Sequence, residues 1–321
     1  MIDCVILTAR RFFHAPEETL RAMILYSLRD KLQLQRFSVV SGQYSDFCGD
    51  LDPRGDQSDR YASGSEGYDW KRNANDIRNS FKEKVPLGFL SQPTISATMV
   101  YRGNYEETRK RIDSIISVWP ATRAVRALRE DYIGLPRIVD FRYATSSNRV
   151  HHAYHLVSYE ATVKKAIDSW DSILEWGGGY GDMARLIRRL NNKCTYTIVD
   201  VPELCALQYV YLFSLLGEEV NLVIPGRQKL MDEKINIVPV GSVLREEIRI
   251  SAQSFISTWG LTECPIEAQR FVCERSFFGA ESILLGYSLD RHNMVKNSIR
   301  GAGYIFKPIR VLSNGHEYAF M

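Results

Sequence analysis

The chain has 321 residues, 45% apolar and 25% charged, a composition that fits about two ordinary globular domains and excludes disorder throughout. Forty-one Lys and Arg against 38 Asp and Glu leave a net charge of +3. That balance is too small and too dispersed for the basic stripe that counterion release on nucleic acid requires, so nucleic acid is not the expected partner.

No apolar run approaches the roughly 18 residues needed to cross a bilayer. The best one, Tyr209 to Leu216, is broken by Ser214, so no membrane partner is expected. Arg10 and Arg11 follow a short apolar stretch, Cys4 to Leu7, without the order of a secretory signal, and the chain reads as cytoplasmic. The six cysteines, Cys4, Cys48, Cys194, Cys205, Cys264 and Cys273, form no C-x-x-C pair and no zinc-ligand spacing. Reduced, inert thiols are expected.

Along the chain, Leu20, Met23, Ile24, Leu28 and Leu32 recur at helical steps behind Glu17 and Glu18, predicting an amphipathic helix. From Ser41 to about Lys84 the pattern dissolves into Gly, Asp, Ser, Asn and Arg with isolated aromatics, Tyr44, Phe47, Tyr61 and Trp70, and reads as a long polar loop. Ile112, Ile115, Ile116 and Trp119 predict a second helix ending at Pro120. Ile133 to Tyr143 is extended and turn-like. Ser146, Ser147 and Asn148 are N-cap types for a third helix carrying His151, His152, Tyr154 and His155.

After Ser169 short apolar strands alternate with amphipathic helices, the signature of a parallel sheet covered by helices. Strands are expected at Ser172–Trp176, Thr195–Asp200, Asn221–Ile224, Ile235–Val240, Ser254–Thr258 and Ser282–Tyr287, with helices at Asp182–Leu190 and Glu203–Leu216. Tyr304–Val311 and His316–Phe320 read as an antiparallel pair. The expected organisation is therefore a mostly helical N-terminal region, 1–169, with its polar loop near 41–84, and an α/β domain over 170–321.

The sharpest local signal is Glu175-Trp176-Gly177-Gly178-Gly179-Tyr180-Gly181-Asp182, where a strand stops and a helix starts. Glycines let backbone turn tightly and approach a ligand without a Cβ in the way. Asp200 follows 19 residues after Gly181, at the end of the second strand, placed to accept hydrogen bonds from ribose hydroxyls. The pair reads as a nucleoside cofactor site. Gly179, Gly181 and Ala184 also satisfy the G-x-G-x-x-A variant of dinucleotide enzymes. Against a dinucleotide, Glu175 and Asp182 bring negative charge to the turn, which repels a pyrophosphate and attracts the cationic sulfonium of S-adenosylmethionine.

Glu175 to Gly181 with Asp200 resembles the class I S-adenosylmethionine-dependent methyltransferases, whose Rossmann-like sheet ends in a reversed strand pair. Ser254 to Pro265, SFISTWGLTECP, and Asn148 to His155 are similar to segments of the putative sugar O-methyltransferase family. The resemblance spans about Ile133 to Met321, and it implies O-methylation of a sugar hydroxyl on a sugar nucleotide or glycan. Gly177, Gly179 and Gly181 would line the methionine and ribose side of the cofactor. Glu175 would hold the glycine loop or the amino group, Asp200 the ribose diol, Val201 the adenine, and Trp259 would flank cofactor or acceptor. One departure is that Gln253 and Ser254 stand where an acidic residue often opens the fourth strand, which argues against a metal-assisted mechanism there.

A sugar hydroxyl is a poor nucleophile at neutral pH, so a general base is expected. Glu263, after the fourth strand, His292, after the fifth, and His155 are the candidates; Glu263 and His292 equally fit a helix-start carboxylate and a solvated loop histidine. His151 and His155, at i and i+4, share a helix face, but no H-E-x-x-H accompanies them and no metal is expected. Two other readings stand beside methylation: a nicotinamide-dependent oxidoreductase of a nucleotide sugar, and a cofactor-binding module without turnover. Association of like chains into a homo-oligomer is compatible with the sequence.

Overall fold

The computed structural model describes residues 30–53, 55, 69–289, 294–299, 303–309 and 315–321. Of the expected first helix, Leu20 to Leu28 lie outside these residues, and 30–40 are helical.

The region expected as a polar loop contains two helices, α1 (Tyr44–Leu51) and α2 (Trp70–Ser80). Tyr44, Cys48 and Leu51 recur at steps of four and three and are fully buried, so what looked like an isolated aromatic is one face of a short helix. Asp69 caps α2 by accepting from Arg72 N. Helix α3 (Pro93–Thr98) follows, then α4 (Tyr105–Val118) and α5 (Ala121–Leu128). Ile112, Ile115 and Trp119 point inward as expected, whereas Ile116 faces solvent. The short strands β1 (Ile138–Asp140) and β2 (Thr145–Ser146) pair antiparallel. They lead into α6 (Ser147–Val163), capped by the Ser146 hydroxyl accepting from Arg149 N.

The remaining elements are β3 (Ser172–Trp176), α7 (Asp182–Leu190), β4 (Thr195–Asp200), α8 (Pro202–Leu216), β5 (Val220–Leu222), β6 (Ile235–Pro239), α9 (Val240–Leu244), β7 (Ser254–Thr258), α10 (Ile266–Glu274), β8 (Ser282–Ser288), α11 (Met294–Ile299), β9 (Ile305–Pro308) and β10 (His316–Phe320). They build an eight-stranded sheet in the order β5-β6-β4-β3-β7-β8-β10-β9. From β5 to β8 all neighbours are parallel, and β10 runs antiparallel to both β8 and β9. This is an α/β fold with a helical N-terminal region and a reversed C-terminal strand pair, as the residue pattern predicts.

Helix α8 is apolar nearly all round, which fits a helix covered on both sides. One side lies on the sheet, and α1 covers the other: the Tyr44 hydroxyl donates to Glu203 O at 3.2 Å, and Phe47 meets Tyr209 edge-on with centroids 4.9 Å apart.

A buried ion network joins the helical region to α6 and α7. Arg149, with no exposed surface, lies 2.7 Å from Asp182 Oδ1 and 3.3 Å from Glu130 Oε2. Asp131 accepts from Arg185 Nε at 2.8 Å and from Arg189 Nη2 at 2.6 Å. Burial alone would raise the Asp131 carboxyl, but these guanidinium groups hold it far below the ordinary range. Among the described residues no helix is long and apolar enough to cross a membrane.

Candidate active site

The order of the sheet reverses at β3, whose neighbours β4 and β7 lead in opposite directions, and ligands of open α/β sheets bind outside the carboxyl ends at such a point. A cavity of about 420 Å³ lies there, within the size range of small-molecule sites. Glu175, Gly177, Gly179, Asp200, Val201, Trp259, Glu263 and His155 all line it. Gly181 does not. It caps α7 with φ +97°, and a Cβ there would meet Leu212 Cδ1 at 3.0 Å, so its role is to turn the chain and pack against α8. His292 lies outside the described residues.

The glycine turn is shaped from both sides. Gly177 and Gly179 have φ of +79° and +56°, a region that only glycine enters freely. A Cβ on Gly177 would sit 2.8 Å from Gly260 Cα, and one on Gly260 would sit 2.7 Å from Trp176 O. The turns after β3 and β7 are thus packed backbone to backbone.

Two buried carboxyls form the floor. Glu175 accepts from the Tyr196 hydroxyl at 2.9 Å. Burial pushes it up to about 8, the hydroxyl acts the other way, and neighbouring Asp200 adds to the rise. Asp200 accepts from Val201 N at 2.9 Å and from Gln208 Nε2 at 2.8 Å, yet burial still pushes it up to about 7. Gln208 also donates to Gly179 O at 2.9 Å, tying the acid to the turn. Asp182 adds to the rise of Glu175 even though Arg149 and His152 Nδ1, 3.0 Å from its Oδ2, pair with it. Glu175 at about 8 is mostly neutral near pH 7, so its charge develops when a cation arrives rather than standing ready.

The opposite wall is aromatic and basic. Trp259, with φ +69°, donates from Nε1 to His316 Nδ1 at 3.0 Å and stacks over His151 at a centroid distance of 5.9 Å. Tyr101 stacks on the same ring at 4.2 Å. His155 is fully buried, with Nδ1 2.5 Å from the Tyr318 hydroxyl. Burial holds both His151 and His155 well below the ordinary histidine range, so both are neutral at pH 7. Glu263 ends a 3₁₀ turn after β7 and accepts from Trp70 Nε1 at 3.1 Å. Cys264 also lines the cavity, and burial pushes its thiol up to about 12, as expected of an inert thiol. Among the described residues no group of three or more His, Cys, Asp or Glu is arranged to hold a metal ion.

Several lining residues gave no sign in the sequence. Met99, Tyr101 and Arg102 belong to the connection between α3 and α4, which has no periodicity; it is fixed by Tyr101 N donating to Asn148 Oδ1 at 2.8 Å. Trp70 was visible only as a loop aromatic. His316, which lines the cavity from the last strand, and Gln208 on α8, which supports Asp200 and Gly179 from behind, lie far in sequence from the glycine turn.

No family model matches the chain, and no curated protein matches it. Among solved structures it is similar to human N-acetylserotonin methyltransferase in complex with SAM, at 13% identity over 78% of this chain and 66% of that one, with a TM-score of 0.34. It is also similar to coclaurine N-methyltransferase bound to N-methylheliamine and SAH, at 13% identity over 67% and 63%, with a TM-score of 0.31. The chain spans slightly less than two thirds of the length of each, and a likeness of this size assigns no activity to it.

Proposed function

We propose that this chain is an S-adenosylmethionine-dependent O-methyltransferase acting on a sugar hydroxyl, presented by a sugar nucleotide or a glycan. The observation that carries this reading is the polarity of one cavity: buried acids over a glycine turn at one end, histidines and aromatic rings at the other. The residues fit the cofactor. Asp200 ends β4 with its carboxyl at the cavity, suited to hydroxyls of a ribose, while Val201 offers an apolar contact to a base. Glu175, a buried acid with no cationic partner among the described residues, favours a positively charged amino or sulfonium group and disfavours a pyrophosphate.

When bound, S-adenosylmethionine supplies an electrophilic methyl group on a positively charged sulfur. The protein's part is then mainly alignment. Trp259, Tyr101 and Trp70 bring aromatic side chains to the cavity wall, where the apolar C–H surface of a sugar can pack, and Glu263 offers a carboxylate to its hydroxyls. His155 lines the cavity, but its Nε2 is fully buried, so Glu263, the other base candidate on the cavity wall, receives the proton of the reacting hydroxyl.

Calorimetry with S-adenosylmethionine and with NAD tests the cofactor, and binding of NAD alone would overturn the reading. Mass spectrometry of reactions with candidate sugar nucleotides, looking for the gain of one methyl group, tests the acceptor; transfer only to acceptors without a sugar would refute that part.

A further inference from the structure

The two ends of the cavity differ in charge. At the glycine turn the buried carboxyls of Glu175 and Asp200 stand together. At the wall formed by Tyr101 and His151 there are two guanidinium groups, Arg102 on the wall and Arg111 behind it.

Arg111 comes from α4 and is almost completely buried, with 2% exposure. Its Nη1 lies 2.6 Å from His151 Nδ1, its Nη2 donates to the Tyr101 hydroxyl at 2.9 Å, and its Nε is buried without a partner. Among the described residues Arg111 forms no ion pair; the nearest acid in this chain of contacts, Glu107, is reached through the Tyr101 hydroxyl at 3.3 Å. Burial raises that hydroxyl most, and of the two charges beside it Arg111 opposes the rise more strongly than Glu107 adds to it. Burial is also the main reason why His151 and His155 are held low, and the charged groups that add to it, Arg111 and the neighbouring histidines of α6, are all bases. A buried cation with neutral partners is costly, and its field reaches the cavity through the two residues it touches.

Arg102 follows Tyr101 directly. It lines the cavity, is exposed, and donates from Nη2 to Ser96 Oγ on α3. That bond uses one of the guanidinium N–H groups; among the described residues the others have no protein partner. The backbone beside it is held in place, because Tyr101 N donates to Asn148 Oδ1 at 2.8 Å and the Tyr101 ring stacks on His151 at 4.2 Å. Glu263, the carboxylate on the cavity wall, accepts from Trp70 Nε1 at 3.1 Å and pairs with neither guanidinium.

We propose that the acceptor carries a phosphate group, bound through Arg102 at this end of the cavity. This rests on the methyl-transfer reading above and narrows its acceptor to a sugar nucleotide. A diphosphate linker brings two negative charges to a wall with two cations, and paired N–H donors suit its oxygens. Because Arg102 is exposed, the nucleoside beyond the linker lies in solvent and takes no space in the cavity. The charge that the glycine turn repels is attracted here, so the ligand enters in one direction, with its sugar towards the sulfonium.

The test is calorimetry of the full chain, without a methyl donor, with inorganic pyrophosphate, uridine diphosphate glucose, methyl glucoside and glucuronate. Expected is binding of the two phosphate-bearing probes and not of methyl glucoside, weakened about tenfold or more in Arg102→Met. The melting temperature of that variant stays at the wild-type value, since the residue is exposed. S-adenosylhomocysteine leaves the pyrophosphate affinity unchanged, because the phosphate lies away from the glycine turn. Pyrophosphate binding abolished by S-adenosylhomocysteine, equal binding by wild type and Arg102→Met, glucuronate bound as tightly as pyrophosphate, or no binding of either phosphate probe overturns the proposal. Loss of the phosphate site with S-adenosylmethionine still bound sinks this inference alone, whereas phosphate binding without S-adenosylmethionine binding sinks the methylation and leaves the anion site standing.

Discussion

Replacing Glu175 with Gln should make the protein more stable at alkaline pH while weakening cofactor binding. In the folded chain the Glu175 carboxyl is raised from its ordinary 4.5 to about 8 by burial. The native state therefore holds a proton that the unfolded chain releases, and stability falls as pH rises from about 4.5 towards 8. Each pH unit inside that window is worth about 1.4 kcal/mol, so going from about pH 5.5 to about pH 8.5 removes roughly 3 kcal/mol from the wild type. The Gln variant does not titrate, and its amide oxygen can still accept from the Tyr196 hydroxyl. Asp200, raised in the same direction, titrates in both proteins, and because it also raises Glu175 the difference between them reports Glu175 together with that coupling. Urea unfolding of both proteins at the two pH values measures the effect. Stability curves that stay parallel across the range would refute the reasoning about this buried acid.

Binding of S-adenosylmethionine near pH 7 should expel protons from Glu175 and Asp200; calorimetry in buffers of different ionisation enthalpy reads this, and buffer-independent heats would contradict it. Gly260→Ala drives a Cβ against Trp176 O and Gly177 Cα, and should cost about 1–3 kcal/mol in denaturant unfolding together with loss of cofactor affinity; unchanged affinity would separate the two turns. Arg149→Met strands Asp182 and Glu130 without their shared cation and should cost about 3–5 kcal/mol, part of which Asp182→Asn added to it restores. Cys264 should resist a thiol-labelling reagent in the native chain at neutral pH, since its thiol is pushed up to about 12; labelling at the rate of the unfolded protein would contradict that.

The α/β half was legible because its strands are continuous apolar runs bounded by turn residues. Ser172–Trp176 and Ser254–Thr258 coincide with β3 and β7, and the pair at the end of the chain is found at β9 and β10. The acidic, glycine-lined end of the cavity was legible for the same reason: Glu175, Gly177, Gly179 and Asp200 sit at strand ends, where local sequence decides position. The aromatic end was not. Helix α2 buries only Ala74 and Ile77 and, apart from Trp70 at its start, is otherwise polar, so its existence depends on its partner α8 and not on its own pattern. Arg111 stands in the run Glu106-Glu107-Thr108-Arg109-Lys110-Arg111, which looks like a solvated face, yet it is turned inward to a histidine 40 residues away. The all-round apolar character of Glu203–Leu216 was the available hint that a second layer had to cover that helix.

The ion network between the helical layer and the sheet layer limits how this molecule can move. Hinging the helical layer away would pull Asp131 off Arg185 and Arg189 and Arg149 off Asp182, breaking ion pairs that are buried in the closed molecule. Such an opening would forfeit several kcal/mol before any ligand had been contacted. The wall carrying Tyr101 is tied to the same layer, through Asn148 on α6 and Arg111 on α4, so its shape is held together with that of the sheet edge it faces.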